Sequence, residues 1–184
     1  MLVAVLLPLC LFVAPLWRIT LKAPQYPIPL TMYIWINKLT GSTEGTIQNI
    51  NIMNHYVGMR HIEPEGFPEL TYFPYVVIGL VVLGLIAWFT NNWKIWAIWS
   101  GIFLILSVVG IYDFYLWEYD YGHNLSSTAP IKVPGMAYQP PLFGKKVLLN
   151  FVAISYPALG GIIMGLSILL GFVSAWLKKK YHIT

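Results

Sequence analysis

Residues 74–90, PYVVIGLVVLGLIAWFT, run from Pro74 to Thr90 without a charged side chain, and residues 95–117, IWAIWSGIFLILSVVGIYDFYLW, contain only Asp113. A hydrocarbon core about 30 Å thick takes roughly 20 apolar residues of helix, so each stretch reads as a membrane span. A third run, Val147 to Leu177, is longer still, and a fourth, Met1 to Trp17, is slightly short. That first run lacks the basic start and small-residue cleavage site of a secretory signal. Leu9 precedes Cys10 where a lipoprotein signal wants a small residue, so the run reads as a retained helix. The expectation is a mainly α membrane protein, four transmembrane helices with a small periplasmic α+β cap. Its parts are transmembrane helix 1 at 1–17, the cap at 18–72, helix 2 at 73–90, helix 3 at 95–117, a periplasmic loop at 118–146, helix 4 at 147–177 and a cytoplasmic basic tail at 178–184.

Composition agrees with the spans. Of 184 residues 58% are hydrophobic and only 10% charged, with a mean hydropathy of +0.67, where a water-soluble domain carries about 25% charge. A free cytosolic enzyme, a disordered regulator and a disulfide scaffold are excluded on this ground. With Cys10 as the single cysteine, the chain alone cannot build a disulfide, a zinc ribbon or an iron–sulfur cluster. Any metal must be held by His, Met, carboxylate or backbone.

Four spans put both long polar segments on one side. The short segments opposite carry Lys94, Lys178, Lys179 and Lys180 and no acid, so the whole net charge of +4 belongs to one face. Lys and Arg near span ends stay cytoplasmic. Both termini are therefore expected in the cytoplasm of a bacterial inner-membrane protein, although Lys145 and Lys146 pull weakly the other way. The basic balance reports orientation in the lipid bilayer, and it leaves no nucleic-acid footprint.

Within the cap, Arg18 to Lys22 and Leu30 to Asn37 alternate polar and apolar as half-buried strands do, with Pro24, Pro27 and Pro29 between them. A turn around Gly41 to Gly45 and a short helix from Thr46 as N-cap to Gly58 complete it. In the last span Gly161 and Gly165 form a GxxxG pair, read first as intramolecular packing and second as a dimer face.

No histidine sits mid-span, so no haem b is expected. Midplane acids and bases are missing too, which argues against a proton pump. Two constellations remain. In Met53-Asn54-His55-Tyr56-Val57-Gly58-Met59-Arg60-His61, a continuing helix would set His55 and Met59 on one face with His61 nearby, a donor mixture suited to copper and above all Cu(I). The competing reading has His55 bonding backbone and Met59 filling a gap. In Tyr112-Asp113-Phe114-Tyr115-Leu116-Trp117-Glu118-Tyr119-Asp120-Tyr121-Gly122-His123-Asn124 three acids and one histidine gather. There Asp120 and His123 at i, i+3 would fix an imidazole tautomer or complete an oxygen–nitrogen metal site, the competing reading being structural hydrogen bonds between this turn and the cap. The candidate metal set is thus Met53, His55, Met59, His61, Asp120 and His123. The fourth histidine, His182, lies in the lysine tail. No P-loop, GxSxG, HExxH or dinucleotide fingerprint is present.

The strings Ala23-Pro24-Gln25-Tyr26-Pro27, Asn54-His55-Tyr56-Val57-Gly58-Met59, Trp117-Glu118-Tyr119-Asp120-Tyr121-Gly122-His123-Asn124-Leu125 and Val133-Pro134-Gly135-Met136-Ala137-Tyr138-Gln139-Pro140-Pro141-Leu142, with Leu148-Leu149-Asn150-Phe151, resemble a family of small bacterial membrane proteins. It is the NosB-type accessory family of nitrous-oxide-reductase gene clusters. The resemblance implies an inner-membrane protein facing the periplasm beside a copper enzyme and its maturation machinery, and it implies no catalytic residues. The expected function is an accessory protein or subunit supporting that enzyme by copper handling or partner docking, with periplasmic or membrane redox and copper proteins as partners. The alternatives are a structural subunit of a larger membrane redox complex without its own metal, and a metal-dependent membrane enzyme.

Overall fold

The computed structural model describes residues 1–90 and 92–181; Asn91 and the end of the expected basic tail, His182 included, lie outside the described residues. Among the described residues three helices are long and apolar enough to cross a membrane: α3 (Glu69–Thr90), α4 (Trp93–His123) and α5 (Leu159–Tyr181). The N-terminal apolar segment is shorter than expected. It forms α1 (Leu2–Leu6) and then a 3₁₀ segment, Leu7–Phe12. Pro8 lacks the N–H that an α-helix needs at that point, and Pro15 blocks continuation. At a rise of 1.5–2 Å per residue this element is roughly 20 Å long, well under a bilayer core.

A second difference lies in the last apolar run. Residues 147–157 are not membrane helix: β4 (Gly144–Leu148) and β5 (Phe151–Pro157) form a hairpin, and α5 starts only after Pro157. The pattern inside the run gives the reason. Phe151, Ala153 and Ser155 are buried while Val152, Ile154 and Tyr156 are half-exposed, a period of two that a hydropathy average cannot tell from a helix. With β1 (Trp17–Lys22), β2 (Leu30–Ile34) and β3 (Leu39–Gly41) they make one antiparallel sheet of order β3-β2-β1-β5-β4. The strands expected in the cap are present, but they pair with chain from the far end of the sequence, Thr20 lying opposite both Thr31 and Ile154.

Helix α2 (Thr46–Val57) covers the sheet and ends at Gly58 in the left-handed conformation, φ 83°, as its position predicts. Its N-cap is Gly45 rather than Thr46, whose hydroxyl turns back to the Thr43 carbonyl at 2.8 Å. Ile50, Met53 and Val57 of α2 close against Ile19, Leu21, Leu30 and Met32 of the sheet. The connection from Asn124 to Phe143 is irregular but held, with Ser126 N donating to the Gly58 carbonyl at 2.8 Å and Ile131 N to that of Tyr56 at 2.9 Å.

Helix α4 has 31 residues, about 46 Å at 1.5 Å per residue, so roughly its last ten stand beyond a 30 Å core. Those residues enter the sheet module: Phe114 packs on Trp17 of β1, and Trp117 on Phe67. At the opposite end of the bundle the Lys179 ammonium lies 4.9 Å from the ring of Trp93. The sheet module and the lysine cluster thus occupy opposite ends of the molecule.

Lipid gives helices no hydrophobic drive to associate, so close packing and hydrogen bonds hold the bundle. The Trp99 indole donates to the Leu80 carbonyl at 2.8 Å and the Ser167 hydroxyl to that of Ala4 at 2.6 Å, tying α4 to α3 and α5 to α1. Small residues sit where backbones meet. A Cβ on Gly160 would lie 2.6 Å from the Pro15 carbonyl oxygen and one on Gly161 2.5 Å from that of Leu16, whereas Gly165 faces open space. The GxxxG pair is therefore split, and Gly161 serves contact within the chain. Gly171 meets the Ser100 hydroxyl and the buried Trp99 ring. Gly171→Ala should lower the thermal midpoint of the detergent-solubilised protein through overpacking of about 1–3 kcal/mol, and Gly165→Ala should leave it unchanged or raised; equal losses would refute this account of the α4–α5 contact.

Candidate functional site

The sheet, α2 and the projecting end of α4 enclose a small cavity of about 50 Å³. Its chemistry is set by six residues from five places in the chain: Met32 from β2, Met53 and Asn54 from α2, Met59 just beyond Gly58, Glu118 from α4 and Tyr138 from the long connection. The rest of the wall is mostly apolar.

Local geometry explains each placement. Met32 takes the inward position of a strand whose buried residues alternate, and Met53 lies one helical turn from Ile50 and Val57. Gly58 reverses the chain, and Met59 N donates to the Asn54 carbonyl at 2.9 Å. The Asn51 amide then clamps the returning segment to α2, its Nδ2 donating to the Ile62 carbonyl at 3.1 Å and its Oδ1 accepting from Ile62 N at 2.7 Å. Gly122 does the corresponding work on α4. A Cβ there would collide with the Gln139 backbone, and Tyr138 N donates to the Gly122 carbonyl at 2.8 Å, which brings the Tyr138 ring into the cavity wall.

Glu118 is the unusual member. It is 1% exposed, and neither carboxyl oxygen has a hydrogen-bond partner among the described residues; the same holds for the Tyr138 hydroxyl and the Trp117 indole N–H. An uncompensated buried carboxylate is costly, so such a group takes up a proton or acquires a cation. Glu118 stands in the part of α4 beyond the bilayer core. Burial pushes its carboxyl up from 4.5 to about 8, partly offset by the Lys146 ammonium. That ammonium is itself held at 3.0 Å by the Gln139 carbonyl.

The residues singled out from sequence divide into two groups. Met53 and Met59 reach the cavity. His55 and His61 are exposed on the outer surface, ring centroids 6.4 Å apart, so the expected sharing of one helix face by His55 and Met59 does not occur: Gly58 ends the helix between them. Asp120 pairs with Arg60, whose guanidinium also lies 4.9 Å from the Tyr121 ring. His123 is exposed and stacks on Tyr119 at 4.0 Å, with Nδ1 2.9 Å from the Tyr119 carbonyl. Asp120 therefore does not serve His123 as an orienting acid. Among the described residues no three His, Cys, Asp or Glu side chains gather as a metal-binding group.

Sequence reasoning left Met32 and Tyr138 out of the candidate site, and it counted Glu118 among the acids near His123 without making it a site residue. For Glu118 a signal existed: Phe114, Glu118, Tyr121 and Gly122 are spaced for one helix face, whereas Tyr115, Leu116 and Tyr119 fall on the exposed one. Met32 and Tyr138 gain meaning only from their neighbours in space. Comparisons with protein-family models, curated proteins and solved structures found no match to this chain.

A raised carboxyl gives a signed pH effect. The folded state binds one more proton than the unfolded chain between about 4.5 and about 8, so this group's contribution is complete below that window and is lost as pH rises through it. In metal-free protein, Glu118→Gln should be more stable than wild type above pH 8 by on the order of a few kcal/mol, the difference shrinking toward pH 4.5. Denaturant titrations of both proteins across that range check it, and a difference independent of pH would contradict it.

Proposed function

We propose that this chain is a membrane-anchored accessory protein, not itself a catalyst, that supports a periplasmic copper enzyme of the nitrous-oxide-reductase kind, with the sheet module as the part that meets its partner and handles copper. The observation that carries this reading is the convergence of Met32, Met53, Met59 and the unpartnered Glu118 carboxyl in one cavity of that module. Soft thioethers favour copper over harder ions. The sequence strings resembling NosB-type proteins point the same way.

The orientation follows from charge. With Lys94, Lys178, Lys179 and Lys180 at the end opposite the sheet, the rule that basic flanks stay inside puts the sheet module in the periplasm. In a Cys10→Ala background, Ser127→Cys should react with a membrane-impermeant maleimide added to intact spheroplasts, and Lys180→Cys should react only after lysis. The reverse pattern would invert the topology and remove the periplasmic partner.

The function itself is tested by gentle detergent extraction from native membranes, with partners identified by mass spectrometry and copper and iron measured per chain. Co-purifying copper-enzyme or maturation proteins, with copper present, are the expected result. A constant set of partners without copper would make this a structural subunit of a redox complex. A lone, metal-free chain would overturn the proposal.

A further inference from the structure

We propose that the cavity beneath the sheet is a binding site for one Cu(I) ion, held by the thioethers of Met32, Met53 and Met59 and neutralised by the carboxylate of Glu118. The site deepens the accessory reading above by naming its ligand, and it replaces the exposed histidines with a different donor set.

Size comes first. A cavity of about 50 Å³ falls well short of the roughly 300–1,000 Å³ of pockets that take organic ligands, which excludes a quinone, a flavin or a haem. It does accommodate an ion, since about 10–15 Å³ on the same measure suffices for a water molecule. Charge comes second. Glu118 is 1% exposed with both oxygens unpartnered, and a monovalent cation that takes the place of the carboxyl proton, released to solvent, leaves the cavity neutral. A divalent ion would leave a net positive charge among apolar walls.

Donor chemistry decides among monovalent ions. Sodium and potassium are hard ions, better served by carbonyls and water than by sulfur. Thioethers select Cu(I), and three methionines line this cavity from three separate elements, β2, α2 and the turn after Gly58. Methionine also serves as ordinary core filler. Filler alone does not account for a carboxyl placed in the same cavity without a hydrogen bond.

The cavity has a neighbour that suits access. A second cleft of about 150 Å³, lined by Leu125, Lys132 and Pro134 among others, shares Val57 and Tyr138 with it. Tyr138 therefore stands between the cation site and the surface of the 124–143 connection.

The test uses the full detergent-purified chain under anaerobic reducing conditions, titrated with Cu(I) supplied as its acetonitrile complex against a chromogenic Cu(I) chelator. Wild type should retain one Cu(I) per chain, with X-ray absorption showing sulfur ligation. Even groups one step removed from a metal change its affinity by about 10–100-fold. Met53→Leu with Met59→Leu should therefore weaken binding at least about tenfold, and Glu118→Gln should weaken it as well. These swaps conserve volume and are tolerated by cores, and Met32→Leu provides an independent variant on the strand. His55→Ala with His61→Ala should leave affinity unchanged. Nitrogen ligation, loss of binding only in the histidine variant, equal retention of Zn(II), or no Cu(I) held by folded wild type would each overturn the site. Partners still co-purifying in those cases would leave the accessory reading standing; Cu(I) bound as expected by a chain without partners would do the reverse.

Discussion

The structure depends on one helix being longer than the membrane it is suited to cross. The last turns of α4 leave the apolar zone and become a pillar against which the sheet closes, with Phe114, Trp117 and Tyr121 packed on its inner face. A five-stranded sheet with one greasy face cannot stand alone in water, and α2 covers only part of it. The pillar supplies the rest and ties the module to the bundle, so the module's position is fixed by packing rather than by a tether.

The same pillar brings in Glu118. Because its flanking residues must face the sheet, the carboxyl is carried into the interior, where it has no partner. Burial of this kind is destabilising in itself, and proteins tend to keep such groups where they serve a site. Around it the chain separates its donors by polarity. Thioethers, which cost little to bury, line the cavity, whereas the three described histidines, Arg60 and Asp120 stay in contact with solvent and pair with one another or with backbone. A pair such as Arg60–Asp120, half-exposed on both sides, adds at most about 1 kcal/mol. It orients the turn after α2 more than it stabilises it.

The bundle end obeys a different rule. With no water to expel, close contact decides, and glycines at 160, 161 and 171 let backbone and tryptophan approach where any side chain would intrude. The N-terminal segment fits this scheme despite its length, since Ala4 and Val5 are buried among the three long helices and Ser167 bonds the Ala4 carbonyl.

Much was legible in the residues themselves. Hydropathy over 74–90 and 95–117, the alternation of Arg18 to Lys22 and Leu30 to Ile34, and the glycine at 58 report local physics: transfer to lipid, a period of two, and a left-handed helix end. The one-sided lysines likewise follow from composition along the chain. What the sequence by itself could not determine was everything decided by non-local pairing. Residues 147–157 are apolar enough for lipid, and their period-two pattern becomes strand through pairing, Val152–Pro157 lying along Trp17–Lys22 and Gly144–Leu148 folding back on β5. His55 and Met59 look like one site until Gly58 turns them apart. Met32, Met53, Met59 and Glu118 become neighbours only when β2, α2 and the end of α4 meet, because a cavity belongs to the space between elements and has no signature within any one of them.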